Sequence, residues 1–134
     1  MRLGLRLDKS TDNANQNPLY QKLIGALMYL AVATRPDICF AVSYLSQFNS
    51  CNSKEHFKAA ERVVRYLKGT TNMGLSFFKG QYELKAYADA DYGSCIVDRR
   101  SFTGYVFKLA NGAISWAAKK QRSLTVADST TFAE

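Results

Sequence analysis

The hydrophobic period of this chain changes once, near Gly74, and that change sets its fold class. From Pro18 to Gly69 apolar residues return every three or four positions, the spacing that lines one side of a helix. Beyond Gly74 they alternate, as on a strand with one covered face. Helices followed by strands give an α+β arrangement. With 134 residues, the chain can bury one core or two small ones, and two complete enzyme domains would not fit.

The polar stretch from Asp8 to Asn17 has no apolar period and reads as a flexible lead-in. Asn17 suits the cap of a first helix and Pro18 its first position, with Leu19, Leu23, Ala26, Leu27 and Leu30 as the inward stripe. Thr34-Arg35-Pro36-Asp37 interrupts that pattern, because proline disfavours helical geometry in the residue before it and starts new helices well. A second helix is expected from about Pro36 to Phe48, carrying Ile38, Val42 and Leu45 inward. Ser53 caps a third, in which Phe57, Ala60, Val64 and Leu67 share a face and a left-handed Gly69 supplies the end. Further on, LSFF, a KGQ turn and YELKAYADADYG suggest strands. TGYVFKLANGAISWAAK reads as a hairpin with Asn111-Gly112 at its tip, and STTFAE begins like a helix.

A net charge of +7 and a pI near 9.4 make a polyanion the natural partner, either nucleic acid or an acidic membrane surface. The basic excess lies mainly before Phe78. The most apolar stretch, Leu23 to Thr34, is too short to span a bilayer, and no targeting segment is visible, so a cytoplasmic or nuclear location, no secretion and no membrane partner are expected. Cys39, Cys51 and Cys95 are widely spaced with no CxxC pair, which reads as free thiols and no zinc site. His56, the one histidine, reads as a capping or surface residue, because no Ser, Cys or Asp is arranged around it for nucleophilic chemistry.

The segment richest in chemistry is Tyr87-Ala88-Asp89-Ala90-Asp91. On a strand, Asp89 and Asp91 share one face, and the small Ala88 and Ala90 leave room for a packed layer on the other. Carboxylates on a rigid strand are what magnesium-dependent phosphodiester cleavage requires, since hard cations are held by oxygen ligands. Spacing alone equally describes a solvated strand end. Glu134 stands where the final helix starts, either as a second carboxylate brought towards Asp89 or as a favourable charge at a helix N-terminus. Arg62, Arg65 and Lys68 beside Tyr66, and Lys119, Lys120 and Arg122 beside Trp116, are candidates for phosphate contact with an aromatic stacked nearby. An exposed basic helix face that is simply solvated has the same appearance.

The run YQKLIGALMYLAVATRPDICFAVSYLSQF, followed by KEHFKAAERVVRYLKGT, resembles the region after the polymerase palm in copia-type retrotransposon Pol polyproteins. AYADADYG, DRRSFTGYVF and ISWAAKKQ resemble the first strands of the ribonuclease H domain in the same polyproteins. The resemblance covers nearly everything from Pro18 to Glu134. It implies a lead-in at 1–17, the helical thumb or connection end of a reverse transcriptase at 18–78, and the incomplete N-terminal part of a ribonuclease H-like mixed sheet at 79–134. It also implies that Asp89, with Asp91 beside it, matches the family's first metal-binding aspartate. Because STTFAE resembles the family's STTEAE, Glu134 matches its catalytic glutamate. Together they would hold Mg2+ for cleavage of RNA paired to DNA, with an RNA/DNA hybrid and the rest of the Pol polyprotein as partners.

Phe132 and Asp128 depart from the family's pattern, and the stretch from Gln121 to Val126 is slightly longer than usual, which suggests relaxed selection. The family's polymerase YxDD motif would lie before Met1 and its later carboxylates beyond Glu134. The expectation is therefore a fragment without catalysis of its own, with a non-catalytic nucleic-acid-binding module as the alternative.

Overall fold

The computed structural model describes residues 7, 17–80, 82–91 and 100–121. Three helices are followed by three strands. These are α1 (Pro18–Ala33), a 3-10 turn (Pro36–Ile38) leading into α2 (Cys39–Ser46), α3 (Lys54–Gly69), β1 (Lys85–Ala90), β2 (Phe102–Leu109) and β3 (Gly112–Lys120).

The helix starts follow the expected chemistry. The Asn17 side chain accepts a hydrogen bond from the Leu19 N–H at 3.0 Å, with Pro18 in the first turn, where its missing N–H costs nothing. At α3 the Ser53 hydroxyl caps the first turn, and His56 Nδ1 reaches back to accept the Ser53 N–H at 3.0 Å, closing a capping box. His56 is thus a cap, as expected, but a buried one, with its ring 4.2 Å from that of Phe48.

The inward face of α1 is rotated from the expected one. Tyr20, Ile24, Leu27 and Ala31 are buried, while Leu19, Ala26 and Leu30 are exposed. α1 has apolar residues on two faces, and the one turned inward carries Tyr20, whose hydroxyl donates to the Leu45 carbonyl of α2 at 2.9 Å. Ile38, Val42 and Leu45 are buried as expected, and Phe48, Ala59 and Ala60 join them in the core, as does Leu7, which is buried although it lies in the expected lead-in of 1–17. On α3, Ala60 faces inward and Phe57 and Leu67 are half-buried, but Val64 is exposed. Gly69 stays helical and takes no left-handed conformation. The end of α3 is closed instead by Thr70, whose N–H donates to the Leu67 carbonyl and whose hydroxyl donates to the Tyr66 carbonyl.

The sheet has the order β1-β2-β3 and is antiparallel throughout the described residues, where a mixed sheet was expected. LSFF forms no strand. One bond, Phe78 N–H to the Ala110 carbonyl at 2.8 Å, ties that segment to the hairpin, and the chain turns at Gly80 with φ +97° before β1 begins. The hairpin tip lies one residue earlier than expected. Leu109 pairs with Gly112, so Ala110 (φ 51°) and Asn111 (φ 63°) occupy the two turn positions, both left-handed as a primed turn requires. Gly112 enters β3 instead, where a Cβ would lie 2.5 Å from the Phe77 ring and 2.7 Å from the Ser76 carbonyl oxygen. Glycine is needed there for close approach, and the turn falls to its neighbours.

Register and strand alternation assign the two faces of the sheet. Phe102, Gly104 and Val106 share a face with Tyr87 and Asp89 of the first strand, with Asp91 just beyond its end, and with Trp116, Ala118 and Lys120 of the third. This face meets the helices. Phe102 is buried with its ring 5.2 Å from Phe40 and 6.1 Å from Tyr44, and Trp116 Nε1 donates to the Ala31 carbonyl at 2.7 Å. The opposite face carries Ala86, Ala88 and Ala90 beside Tyr105 and Phe107.

Candidate metal and nucleic-acid site

Asp89 is paired across the ladder with Gly104, which stands opposite Ala118 on the third strand, so two small residues lie next to the carboxylate on its own face. It is exposed and forms no hydrogen bond or ion pair among the described residues. The packed layer, expected on the alanine side of this strand, lies on the aspartate side. Pro36 and Phe40 of the helical part and Tyr87, Asp89 and Trp116 of the sheet line a cleft of about 270 Å³ that also takes in Asp37.

Asp91 behaves differently from Asp89 despite sharing its face. Its N–H donates to the Phe102 carbonyl at 3.0 Å, and its Oδ1 accepts the Phe102 N–H at 2.7 Å. The carboxylate stands in for a backbone carbonyl at the end of the ladder, so one of its oxygens is committed to the fold. Glu134 and Arg122 lie outside the described residues, as do Cys95 and the segment STTFAE. No group of three or more His, Cys, Asp or Glu among the described residues is placed to hold a metal ion. Asp89 offers an exposed carboxylate, whereas that of Asp91 is engaged by the Phe102 N–H. Among the described residues that donor set falls short of the shared oxygen ligands that two magnesium ions need. Cys39 and Cys51 are free thiols.

Across the cleft, Asp37 belongs to a network that sequence reading treated only as a helix break. The Arg35 guanidinium grips the Asp37 carboxylate with two bonds, Nε to Oδ1 at 3.0 Å and Nη2 to Oδ2 at 2.8 Å. It also donates to the Thr70 carbonyl at 3.1 Å and the Thr70 hydroxyl at 2.7 Å, and lies over the Tyr66 ring at 5.7 Å. RPD and RYLKGT, remote in sequence, are therefore one contact. Arg35 joins the start of α2 to the end of α3, and its planar fork suits both a carboxylate and a carbonyl. Its hydrogen bonds hold the Asp37 carboxyl below the usual carboxylate range, against the opposing effect of desolvation. The signal for this network was an Arg and an Asp separated by one proline, which alone names no third partner.

The basic residues separate into two groups. On α3 the buried side is formed by His56, Ala59 and Ala60, while Lys54, Lys58, Arg62, Arg65 and Lys68 are exposed. At 100° per residue the first four lie within about 80° of one another, a stripe about 16 Å long from Lys54 to Arg65 with the exposed Glu61 at its edge. None of the five forms an ion pair among the described residues. On the third strand, Lys119 is exposed on the sheet face turned away from the helices, whereas Lys120 faces them and donates from Nζ to Gln47 Oε1 at 2.6 Å. Lys120 thereby ties the sheet to the end of α2. No helix among the described residues is long and apolar enough to cross a membrane.

No family model and no solved structure matches the chain. Among curated proteins, it is 48% identical over 112 residues to the secreted RxLR effector protein 161 of Plasmopara viticola, covering 83% of this chain and 79% of that protein. It is 47% identical over 115 residues to the retrovirus-related Pol polyprotein from transposon TNT 1-94 of Nicotiana tabacum, and 45% identical over 106 residues to that from transposon RE1 of Arabidopsis thaliana. These matches cover 86% and 78% of this chain but only 8% and 7% of the polyproteins, so the chain spans less than a tenth of their length.

Proposed function

Since this chain belongs to the copia-type retrotransposon Pol family, we propose that α1 to α3 are the end of a reverse transcriptase and β1 to β3 the opening strands of a ribonuclease H, joined here in a surface that holds an RNA/DNA hybrid. RNA-directed DNA synthesis and cleavage of the hybrid, with its magnesium, belong in this reading to the larger protein. The role proposed for this chain is binding.

The observation that carries the reading is the stripe of Lys54, Lys58, Arg62 and Arg65 on the exposed side of α3. A row of cations along a rigid helix, with no ion pair among the described residues, can follow a phosphate backbone, releasing a counterion for each phosphate it neutralises. Binding is favoured over cleavage because Asp91, next to Asp89 at this end of the sheet, has its carboxylate engaged by the Phe102 N–H, which leaves Asp89 as the uncommitted carboxylate of that pair among the described residues. The Plasmopara relative, of which the match covers 79%, supports a unit of this size existing as a separate protein.

The test is fluorescence anisotropy with a labelled RNA/DNA hybrid at low salt. Saturable binding that weakens about tenfold or more in Arg62→Glu/Arg65→Glu is expected. No binding at low salt, or binding indifferent to the two substitutions, would refute the reading. Magnesium-dependent hybrid cleavage lost in Asp89→Asn would show that binding understates the function.

A further inference from the structure

At the hairpin end of the sheet, two lysines stand opposite each other. Lys85 of β1 and Lys108 of β2 are partners across the ladder, so their side chains leave the same face with Cβ atoms about 5 Å apart, and like charges so placed repel. Beside them is a cavity of about 330 Å³, lined among the described residues by Gly80, Tyr82, Glu83, Lys85, Lys108 and Asn111. One carboxylate in that lining stands against two ammonium groups. Lys85 Nζ lies 3.2 Å from Glu83 Oε2, in a pair that is exposed on both sides. Lys108 is half-buried and forms no ion pair among the described residues, and its Nζ donates to the neutral Asn111 Oδ1 at a long 3.4 Å.

We propose that this cavity binds a phosphate monoester, the terminal phosphate of a nucleotide or of a nucleic-acid strand, with Lys85 and Lys108 as its cationic ligands and Glu83 as the carboxylate that it displaces. The site uses none of the α3 cations, so it goes beyond the nucleic-acid reading and does not depend on it.

The charge count selects the ligand. A phosphate monoester carries a charge of about −1.5 to −2 at pH 7 and three acceptor oxygens, which suits two ammonium groups. An incoming carboxylate brings a single negative charge, as Glu83 already does, and gains nothing by taking its place. A phosphodiester inside a strand brings a single charge as well. Moving Glu83 aside costs little, because exposed ion pairs hold weakly. The Asn111 amide and the Tyr82 hydroxyl add neutral hydrogen-bond donors to the lining, and the exposed Tyr82 ring offers a surface on which a sugar or base can rest. The volume is in the range of small-molecule sites and leaves room for a sugar beside the phosphate.

The test follows the backbone amide shifts of the 134-residue protein by NMR during titration with adenosine 5′-monophosphate at low salt, with acetate and the methyl ester of the same nucleotide as singly charged controls. Saturable shifts centred on Lys85, Lys108 and Asn111 are expected, with the monoester bound about tenfold more tightly than either control. Lys108→Gln should weaken binding about tenfold, whereas Glu83→Gln should strengthen it about two- to fivefold by removing the competing carboxylate. A gain of that kind cannot come from a damaged fold. Arg62→Glu/Arg65→Glu should leave the affinity unchanged, which separates this site from the hybrid surface on α3. A short 5′-phosphorylated oligonucleotide in the same titration names the source: tighter binding than the mononucleotide assigns a strand end, weaker or equal binding a free nucleotide, and both support the monoester site. No saturable shift at these residues with about 10 mM nucleotide would overturn the proposal. So would equal affinity for the controls, an affinity unchanged in Lys108→Gln, or one that fails to rise in Glu83→Gln.

Discussion

Replacing Gly112 by alanine places a methyl group where the structure has no room for one. The added Cβ would lie 2.5 Å from Cδ1 and Cε1 of Phe77 and 2.7 Å from the Ser76 carbonyl oxygen, about an ångström closer than ordinary contact. The Phe77 ring is half exposed and can swing away. The Ser76 carbonyl is backbone, and its segment is held by the 2.8 Å bond from Phe78 N–H to Ala110. Relief therefore requires the connector between α3 and β1 to shift, a change that costs about 1–3 kcal/mol. The loss of glycine freedom in the unfolded chain returns about 0.4–1 kcal/mol, leaving a net destabilisation of about 1–2 kcal/mol. At roughly 3–5 °C per kcal/mol for a chain of this length, the melting temperature should fall by about 3–10 °C. Gly104→Ala is the matched control, because its Cβ would meet only the Ala117 carbonyl oxygen at 3.8 Å. It should melt at or slightly above the parent temperature. Thermal melts followed by circular dichroism distinguish the two, and a Gly112→Ala protein as stable as the parent would show that the 76–78 segment does not pack against the hairpin as described.

Three further outcomes follow from other contacts. Arg35→Lys should lower the melting temperature nearly as far as Arg35→Ala, because a single ammonium cannot hold both Asp37 oxygens and both Thr70 oxygens. A Lys variant as stable as the parent in the same melts would contradict the network. Burial pushes the His56 imidazole below its usual range, so the unfolded chain takes up its proton first as pH falls. Stability is then complete above the unfolded value of about 6.5, declines below it and levels off beneath the folded value. Urea midpoints at pH 5 and 7.5 should differ in that direction, and His56→Gln, which keeps a capping acceptor, should remove the His56 part of the difference. Trp116→Phe loses the bond to the Ala31 carbonyl and should cost about 0.5–1.5 kcal/mol in chemical denaturation; no loss would mean that the sheet is not anchored to α1 there.

Local chemistry was legible in the sequence, and the choice among equivalent partners was not. Asn17, Pro18 and Ser53 act through neighbours two or three residues away, so their roles could be read directly. The inward face of α1 could not, since both faces are apolar and the choice depends on Tyr20 reaching a carbonyl of α2. Asn111-Gly112 is a strong turn signal, yet the crowding that places Gly112 in β3 comes from Phe77, which is distant in sequence. Alternation put Asp89 and Asp91 on one face. It could not show that the helices would cover that same face, or that Asp91 would be drawn into the ladder by Phe102. The Arg35 network was hidden for the same reason, because its second half, Thr70, lies thirty-five residues away.

The most direct test of the proposed function is the salt dependence of affinity for an RNA/DNA hybrid, measured for the parent and for Arg62→Glu/Arg65→Glu. If about four cations of the α3 stripe meet phosphates, log K should fall with log salt at a slope of roughly −3 to −4, and removing two of them should reduce that slope by about 2. A parent slope near zero, or a slope unchanged in the variant, would contradict the assignment of the α3 stripe as the surface that holds nucleic acid.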